Sequence, residues 1–323
     1  MKKILKYVIL PLAAIIVVVL TAASFYMLDT SLKPQHVRTY KEWYDINNEN
    51  YPFIHDWIDS LQRNEAVKDT FSVFPDKRKM HALYLPASEP TEKTAILIHG
   101  YTDNATMMFS VGYIYHHLLG YNLLMPDLNG HGKSEGNYAQ MGWKDRLDVI
   151  RWMEIANGIF SLTDSLTGKP IDTRQIVHGI SMGAATTMCI SGQADVPYVK
   201  AFVEDCGYTS VWDEFAGELN SSFGLPEFPL MYTTSALCKL RYGWTFGEAS
   251  PLKQVAKSHH PMLFIHGDSD NFVPTWMVHP LYDAKPEPKE LWLAPGSAHA
   301  RSYADHPEEY TAHVIAFAEK YLQ

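Results

Sequence analysis

The chain reads as an α/β protein: a mostly parallel central sheet flanked by helices on both faces. Two observations predict it. From about residue 70, short apolar runs alternate with longer amphipathic runs, the pattern of βαβ units. The composition is globular, with 46% apolar and 20% charged residues in a chain of 323, enough to bury a sizeable core.

The strand pattern falls at Ala82–Leu85, Ala95–Ile98, Asn122–Met125, Gln175–Gly179, Ala201–Glu204, Met262–Ile265 and Glu290–Leu293. The helical pattern falls at Ala105–Leu118, Lys144–Phe160, Met182–Ala194, Thr275–Tyr282 and Glu308–Tyr321. One interval breaks the alternation. More than fifty residues separate the strand ending near Asp205 from the one beginning at Met262. They are rich in aromatics, among them Trp212, Phe215, Phe223, Phe228, Tyr232 and Trp244. Long insertions in compact domains are usually functional, so a helical cap is expected over about 207–255.

The first thirty residues are of another kind. Lys2, Lys3 and Lys6 precede a stretch from Tyr7 to Leu28 without a charge, and Asp29 closes it. About 20 apolar residues cross a bilayer as a helix. Flanking lysines keep the N-terminus cytoplasmic and send the remainder outward. The competing reading is a cleavable signal peptide with Thr21 and Ala23 before the cut. The apolar run continues through Phe25, Tyr26, Met27 and Leu28, which favours an uncleaved signal anchor over 1–30 and an extracytoplasmic catalytic domain. Residues 31–69 read as a mostly helical connection. Phe53, Ile54, Trp57, Ile58 and Leu61 form one apolar face there, expected to pack on the core. The domain itself is expected over 70–323.

The net charge is −9 with no basic cluster, which argues against a nucleic-acid partner. Cys189, Cys206 and Cys238 show no metal-ligand spacing. They read as small apolar core residues, although Cys206 and Cys238 could pair in an oxidising compartment. No metal or organic cofactor is implied, and the oligomeric state is not legible.

The chemistry-bearing motif is Gly179-Ile180-Ser181-Met182-Gly183. It follows a strand pattern and opens a helix pattern, the context in which G-x-S-x-G presents a serine on a tight, strained turn. Ser181 is the candidate nucleophile. A serine needs a base, and His299, in the loop after the last strand, is the candidate; His306 and His313 read as capping or surface residues. The orienting acid should follow a strand as well. Asp268 and Asp270 both do, and spacing alone does not choose between them. The N–H of Met182 and of Tyr101 are the expected oxyanion donors. His99 reads as a structural residue bonded to loop backbone. The loop Asp127–Gly136 lacks nucleotide-loop spacing and reads as a turn locked by Asp127 and Ser134.

Taken together, Gly179–Gly183, His99-Gly100, Asp127…Gly130-His131-Gly132…Ser134, His266-Gly267…Asp270…Val273-Pro274 and His299 stand in family order. Over about residues 70–322 the chain resembles α/β-hydrolases, especially the serine-aminopeptidase-like or monoacylglycerol-lipase-like branch. The resemblance implies an α/β-hydrolase fold with a cap. It prefers Asp270 to Asp268 beside Ser181 and His299, and gives Tyr101 and Met182 the oxyanion positions. It also marks one departure: Asn129 stands where relatives carry arginine. The expected activity is hydrolysis of a carboxylic ester of small to medium acyl or aryl groups. An aminopeptidase or amidase with the same triad is the alternative, for which Glu204, Asp205, Asp213 and Glu214 are candidate partners of a substrate ammonium. A non-catalytic hydrolase fold used for binding is a third expectation.

Overall fold

The computed structural model describes residues 5–34, 37–194 and 196–323. Lys2 and Lys3 of the N-terminal flank lie outside them, and so does the side chain of Lys6. Ten strands occur among the described residues: β1 Lys68–Val73, β2 Lys79–Leu85, β3 Lys93–Ile98, β4 Asn122–Pro126, β5 Leu162–Thr163, β6 Pro170–Ile171, β7 Arg174–Ile180, β8 Val199–Asp205, β9 Met262–Gly267 and β10 Lys289–Ala294. Strands β5 and β6 make a small separate hairpin. The other eight form one sheet in the order β1-β2-β4-β3-β7-β8-β9-β10, in which β2 alone runs antiparallel. The mostly parallel sheet read from the sequence is thus present. All seven predicted strands appear, each within two or three residues of its expected bounds. Strand β1 was not predicted. It is an edge strand with exposed and half-exposed positions only, and therefore carries no apolar run.

Strand alternation sends side chains to two cores. Ile96 and Ile98 of β3 pack in one, Ala95 and Leu97 in the other. The first core takes Val149, Trp152 and Met153 from the helix Asp145–Phe160. The second takes Val314 and Phe317 from the helix Pro307–Tyr321, together with Ile54, Trp57, Ile58 and Leu61. The connecting segment therefore docks on the sheet, as its apolar face requires, through the helices Tyr40–Asn50 and His55–Arg63. Phe53, the fifth residue of that face, stays half exposed against Tyr113 and Tyr303. The predicted helix Ala105–Leu118 is a succession of 3-10, α and π turns. Its Gly112 sits where a Cβ would meet Leu123 at 3.0 Å. Cys189, Cys206 and Cys238 are free and buried, so the Cys206–Cys238 pairing is not formed.

The long interval after β8 holds the helices Val211–Phe223, Leu230–Tyr242 and Pro251–Val255. Ser210 caps the first through the Asp213 N–H at 3.0 Å, and Gly224 and Gly243 end the first two in the left-handed conformation. The N-terminal helix Leu10–Leu32 meets this region. Its side chains from Tyr7 to Val19 are exposed, whereas Ser24, Met27, Leu28 and Leu32 are buried. Ser24 Oγ donates to Thr233 Oγ1 at 2.7 Å, Arg241 pairs with Asp29 at 2.8 Å, and Ala139 N–H donates to Leu32 O at 2.6 Å.

Candidate active site

Strands β3, β7, β8, β9 and β10 run parallel, so their carboxyl ends share one edge of the sheet. The chemistry-bearing loops all leave from that edge. Ser181 stands between β7 and the helix Met182–Ser191 at φ 57° and ψ −117°, a region that costs a side-chain-bearing residue about 1–3 kcal/mol. The turn closes only because its flanks are glycines. A Cβ on Gly179 would lie 2.1 Å from Gly183 O, and one on Gly183 would lie 2.0 Å from Ile98 O. Ser181 N–H is anchored to Asp205 O at 2.8 Å.

His299 comes from the loop after β10. Its Nε2 lies 2.9 Å from Ser181 Oγ, and its Nδ1 lies 2.7 Å from Asp270 Oδ2. Asp270 is buried, and its Oδ1 accepts the N–H of Phe272 and of Val273, both at 3.0 Å. Burial opposes its ionisation, but hydrogen bonds from His266 and His299 outweigh it and hold the carboxyl at about 2. Asp268 does not reach His299. Its Oδ1 accepts Gly296 N–H at 2.6 Å and the Ser269 hydroxyl, which makes it a turn residue.

Tyr101 follows β3, and Met182 is the first residue of the helix after Ser181. Among the described residues no hydrogen bond engages either N–H. The Tyr101 loop runs against the serine, since a Cβ on Gly100 would lie 3.5 Å from Ser181 Cβ. His99 is structural: its Nδ1 donates to Gly100 O at 2.7 Å and its Nε2 accepts Leu128 N–H at 3.0 Å. His306 bonds Pro295 O, and His313 stacks on Trp292. Asp127 locks its loop as expected, accepting the N–H of Ala105 and Lys133, while Ser134 Oγ donates to Asp127 O at 2.7 Å. The position of the departure, Asn129, accepts from Arg78 Nη1 at 2.6 Å, so a guanidinium arrives there from the β1–β2 turn.

One group among the described residues has metal-like spacing: Cys206, Asp270 and His299, with ligand atoms within 4.8 Å. Burial pushes the Cys206 thiol well above its ordinary range, and the other two residues engage each other.

Two cavities meet at Ser181. One, of about 520 Å³, is largely apolar, lined by Met182, Phe215, Leu219, Leu230 and, from the N-terminal helix, Ala23, Tyr26 and Met27. The other, of about 430 Å³, is lined by Arg38, Trp43, Asp103, His299 and Arg301. Sequence reasoning found neither contribution from the first fifty residues. Of the four acids proposed to meet an ammonium, Glu214 alone lines either of the two cavities that meet at Ser181. Glu204 accepts Gly207 N–H, Asp205 accepts the Tyr310 hydroxyl, and Asp213 accepts from Thr209 and Ser210. Glu218, one turn beyond Glu214, lines the same cavity. Its i+4 spacing was the available signal. Burial raises Glu214 to about 8.

Residues 107–323 match the prolyl oligopeptidase family. The chain belongs to the prolyl oligopeptidase family. Its fold is that of the α/β-hydrolases, and it is a hydrolase. Similarity extends to the uncharacterized protein YqkD of Bacillus subtilis, 31% identical over 73% of this chain and 74% of the relative. It extends also to the uncharacterized protein YfhR of Escherichia coli K12, 25% identical over 61% and 60%. Among solved structures, the Pyrococcus furiosus esterase Pf2001 superposes with a TM-score of 0.61 at 22% identity, over 80% of this chain and 93% of that one. Est1E from Butyrivibrio proteoclasticus, solved with ferulic acid, superposes at 0.58 with 20% identity, over 78% and 99%. The prolyl oligopeptidase match begins after β3, so the N-terminal helix and the Arg38–Asn50 segment lie outside it.

Proposed function

We propose that this hydrolase cleaves a carboxylic ester through an acyl-enzyme on Ser181. The observation that carries the reading is the continuous line Ser181 Oγ, His299, Asp270, with contacts of 2.9 and 2.7 Å. His299 Nε2 takes the hydroxyl proton as Ser181 Oγ attacks the carbonyl carbon. Asp270, ionised, holds the imidazole orientation and stabilises the imidazolium. Met182 and Tyr101 N–H hold the oxyanion, with the helix Met182–Ser191 adding its positive N-terminal end. His299 returns the proton to the departing alcohol, then activates water to release the acid. Ser181→Ala is expected to lose p-nitrophenyl ester turnover and fluorophosphonate labelling while staying folded. Retention of either would overturn the assignment.

Glu214 and Glu218 favour a second reading, cleavage of an amide with a free amino group, since both residues line the cavity that reaches Ser181. Aminoacyl p-nitroanilides compared with acyl esters separate the two. On the amide reading, Glu214→Gln raises KM for the anilide alone.

The N-terminal helix, long and apolar enough to cross a membrane, is read as an uncleaved anchor over 1–30, with the catalytic domain outside the cytoplasm and a cap over about 207–255. Cell fractionation, intact mass and protease accessibility test this. Cleavage after Ala23 or a protease-shielded domain would contradict it.

A further inference from the structure

The geometry points to the N-terminal helix as one wall of the substrate's acyl site: a single-chain acyl ester, lodged in the bilayer, feeds its chain into the 520 Å³ cavity past Ala23, Tyr26 and Met27 while its polar alcohol occupies the cavity beside Arg38 and Asp103. This inference rests on the serine-hydrolase reading above and adds a substrate class to it.

Three observations carry it. The first is the division of the site at Ser181. His299 must hand its proton to the leaving oxygen, so the leaving group lies on the His299 side. His299 lines the second cavity, whose walls are of mixed polarity, together with the Arg38–Asp103 ion pair at 2.8 Å. The acyl portion then occupies the other cavity, whose walls are mainly apolar. The substrate is thereby amphiphilic, with its polar part in the alcohol.

The second is depth. Tyr7 to Tyr26 is twenty residues, about 30 Å of helix, the thickness of the hydrocarbon layer. The charged pair Asp29–Arg241 lies beyond that span. With Tyr7–Tyr26 in hydrocarbon, its outer boundary falls at Ser24–Met27, where the helix is bonded to Thr233 and lines the cavity. Phe223 and Leu225 line the same cavity and are exposed, as are Phe228 and Tyr232 nearby in the chain. Aromatic and apolar side chains at such a level belong in a membrane interface.

The third is origin. The walls supplied by Ala23, Tyr26, Met27, Arg38 and Trp43 lie outside the family match of residues 107–323.

The test uses the full-length protein in phosphatidylcholine vesicles. The palmitoyl and butyroyl monoesters of glycerol share one leaving group and differ only in chain length, and the readout is the ratio of their kcat/KM values. Ala23→Trp places an indole in the acyl wall and is expected to lower the palmitoyl-to-butyroyl ratio about tenfold. Val17→Trp, on the exposed stretch, should leave the ratio at the wild-type value. If Ala23→Trp does not accumulate as folded protein, Ala23→Leu is read by the same ratio, with a smaller drop expected. A wild-type ratio in the Ala23 variant overturns the acyl-wall inference and leaves the serine chemistry standing. Wild type that cleaves neither ester and takes no fluorophosphonate overturns both.

Discussion

The Tyr40 hydroxyl donates to Asp127 Oδ2 at 2.5 Å. Asp127 opens the loop after β4 and also receives His81 Nδ1 and the Lys133 N–H, so the segment ahead of the sheet is bonded into the loop layer that carries the site. Tyr40→Phe is expected to lower stability by about 1–2 kcal/mol, read as a lower urea midpoint with an unchanged slope. An unaltered midpoint would show that Asp127 is fully satisfied without Tyr40.

The backbone at Ser181 separates stability from activity. Its φ of 57° is relaxed by glycine. Ser181→Gly should therefore be about 1 kcal/mol more stable than wild type and inactive. Ser181→Ala should be inactive without that gain. Thermal unfolding of the two variants together checks the prediction, and equal midpoints would contradict it.

Glu214 predicts a pH dependence. Burial raises its folded value to about 8 against an ordinary 4.5. Between those pH values the unfolded chain has released a proton that the folded chain keeps, so stability falls as pH rises through this window. Glu214→Gln carries no such titration. The stability difference, variant minus wild type, should be smallest near pH 4 and grow by a few kcal/mol toward pH 8. Denaturant titrations at three pH values measure it, and a pH-independent difference would refute the assigned burial.

Arg78 explains how the chain tolerates Asn129. The guanidinium pairs with Asp148 at 2.8 Å through Nη2 while its Nη1 donates to Asn129 Oδ1. An arginine at 129, the residue the family resemblance implies there, places a second cation beside Arg78. Asn129→Arg should cost roughly 1–3 kcal/mol in this background, and Arg78→Ala more, because the buried Asp148 then keeps Gln140 but loses its cation. The double variant Arg78→Ala/Asn129→Arg should recover part of the loss, and additive losses would rule out a shared position.

Gly179→Ala should yield no folded protein, because its Cβ would meet Gly183 O at 2.1 Å. Soluble, active protein would show that the turn can open.

The legible parts of this sequence were those set by local contact. Gly179 and Gly183 are required by backbone atoms within van der Waals reach, so the motif announces its own turn. The strands β3, β4, β7, β8 and β9 read clearly because both faces are buried. Strand β1 was illegible because Phe71 and Val73 lie exposed on an edge. Asp268 and Asp270 stand two residues apart in one turn, and only the position of the His299 loop distinguishes them. The cavity wall at Ala23 was unreadable because an apolar helix shows that it needs cover but not which surface provides it.

The meeting of two unlike cavities at Ser181 also governs what happens after the bond breaks. On the proposed reading, cleavage would sort the fragments by solubility: the alcohol would depart into water past Arg38 and Arg301, and the acid would slip back into lipid along Tyr26. The two products would then have separate exits and would not compete for one, and hydrolysis would be drawn forward by the phase boundary at which the enzyme stands.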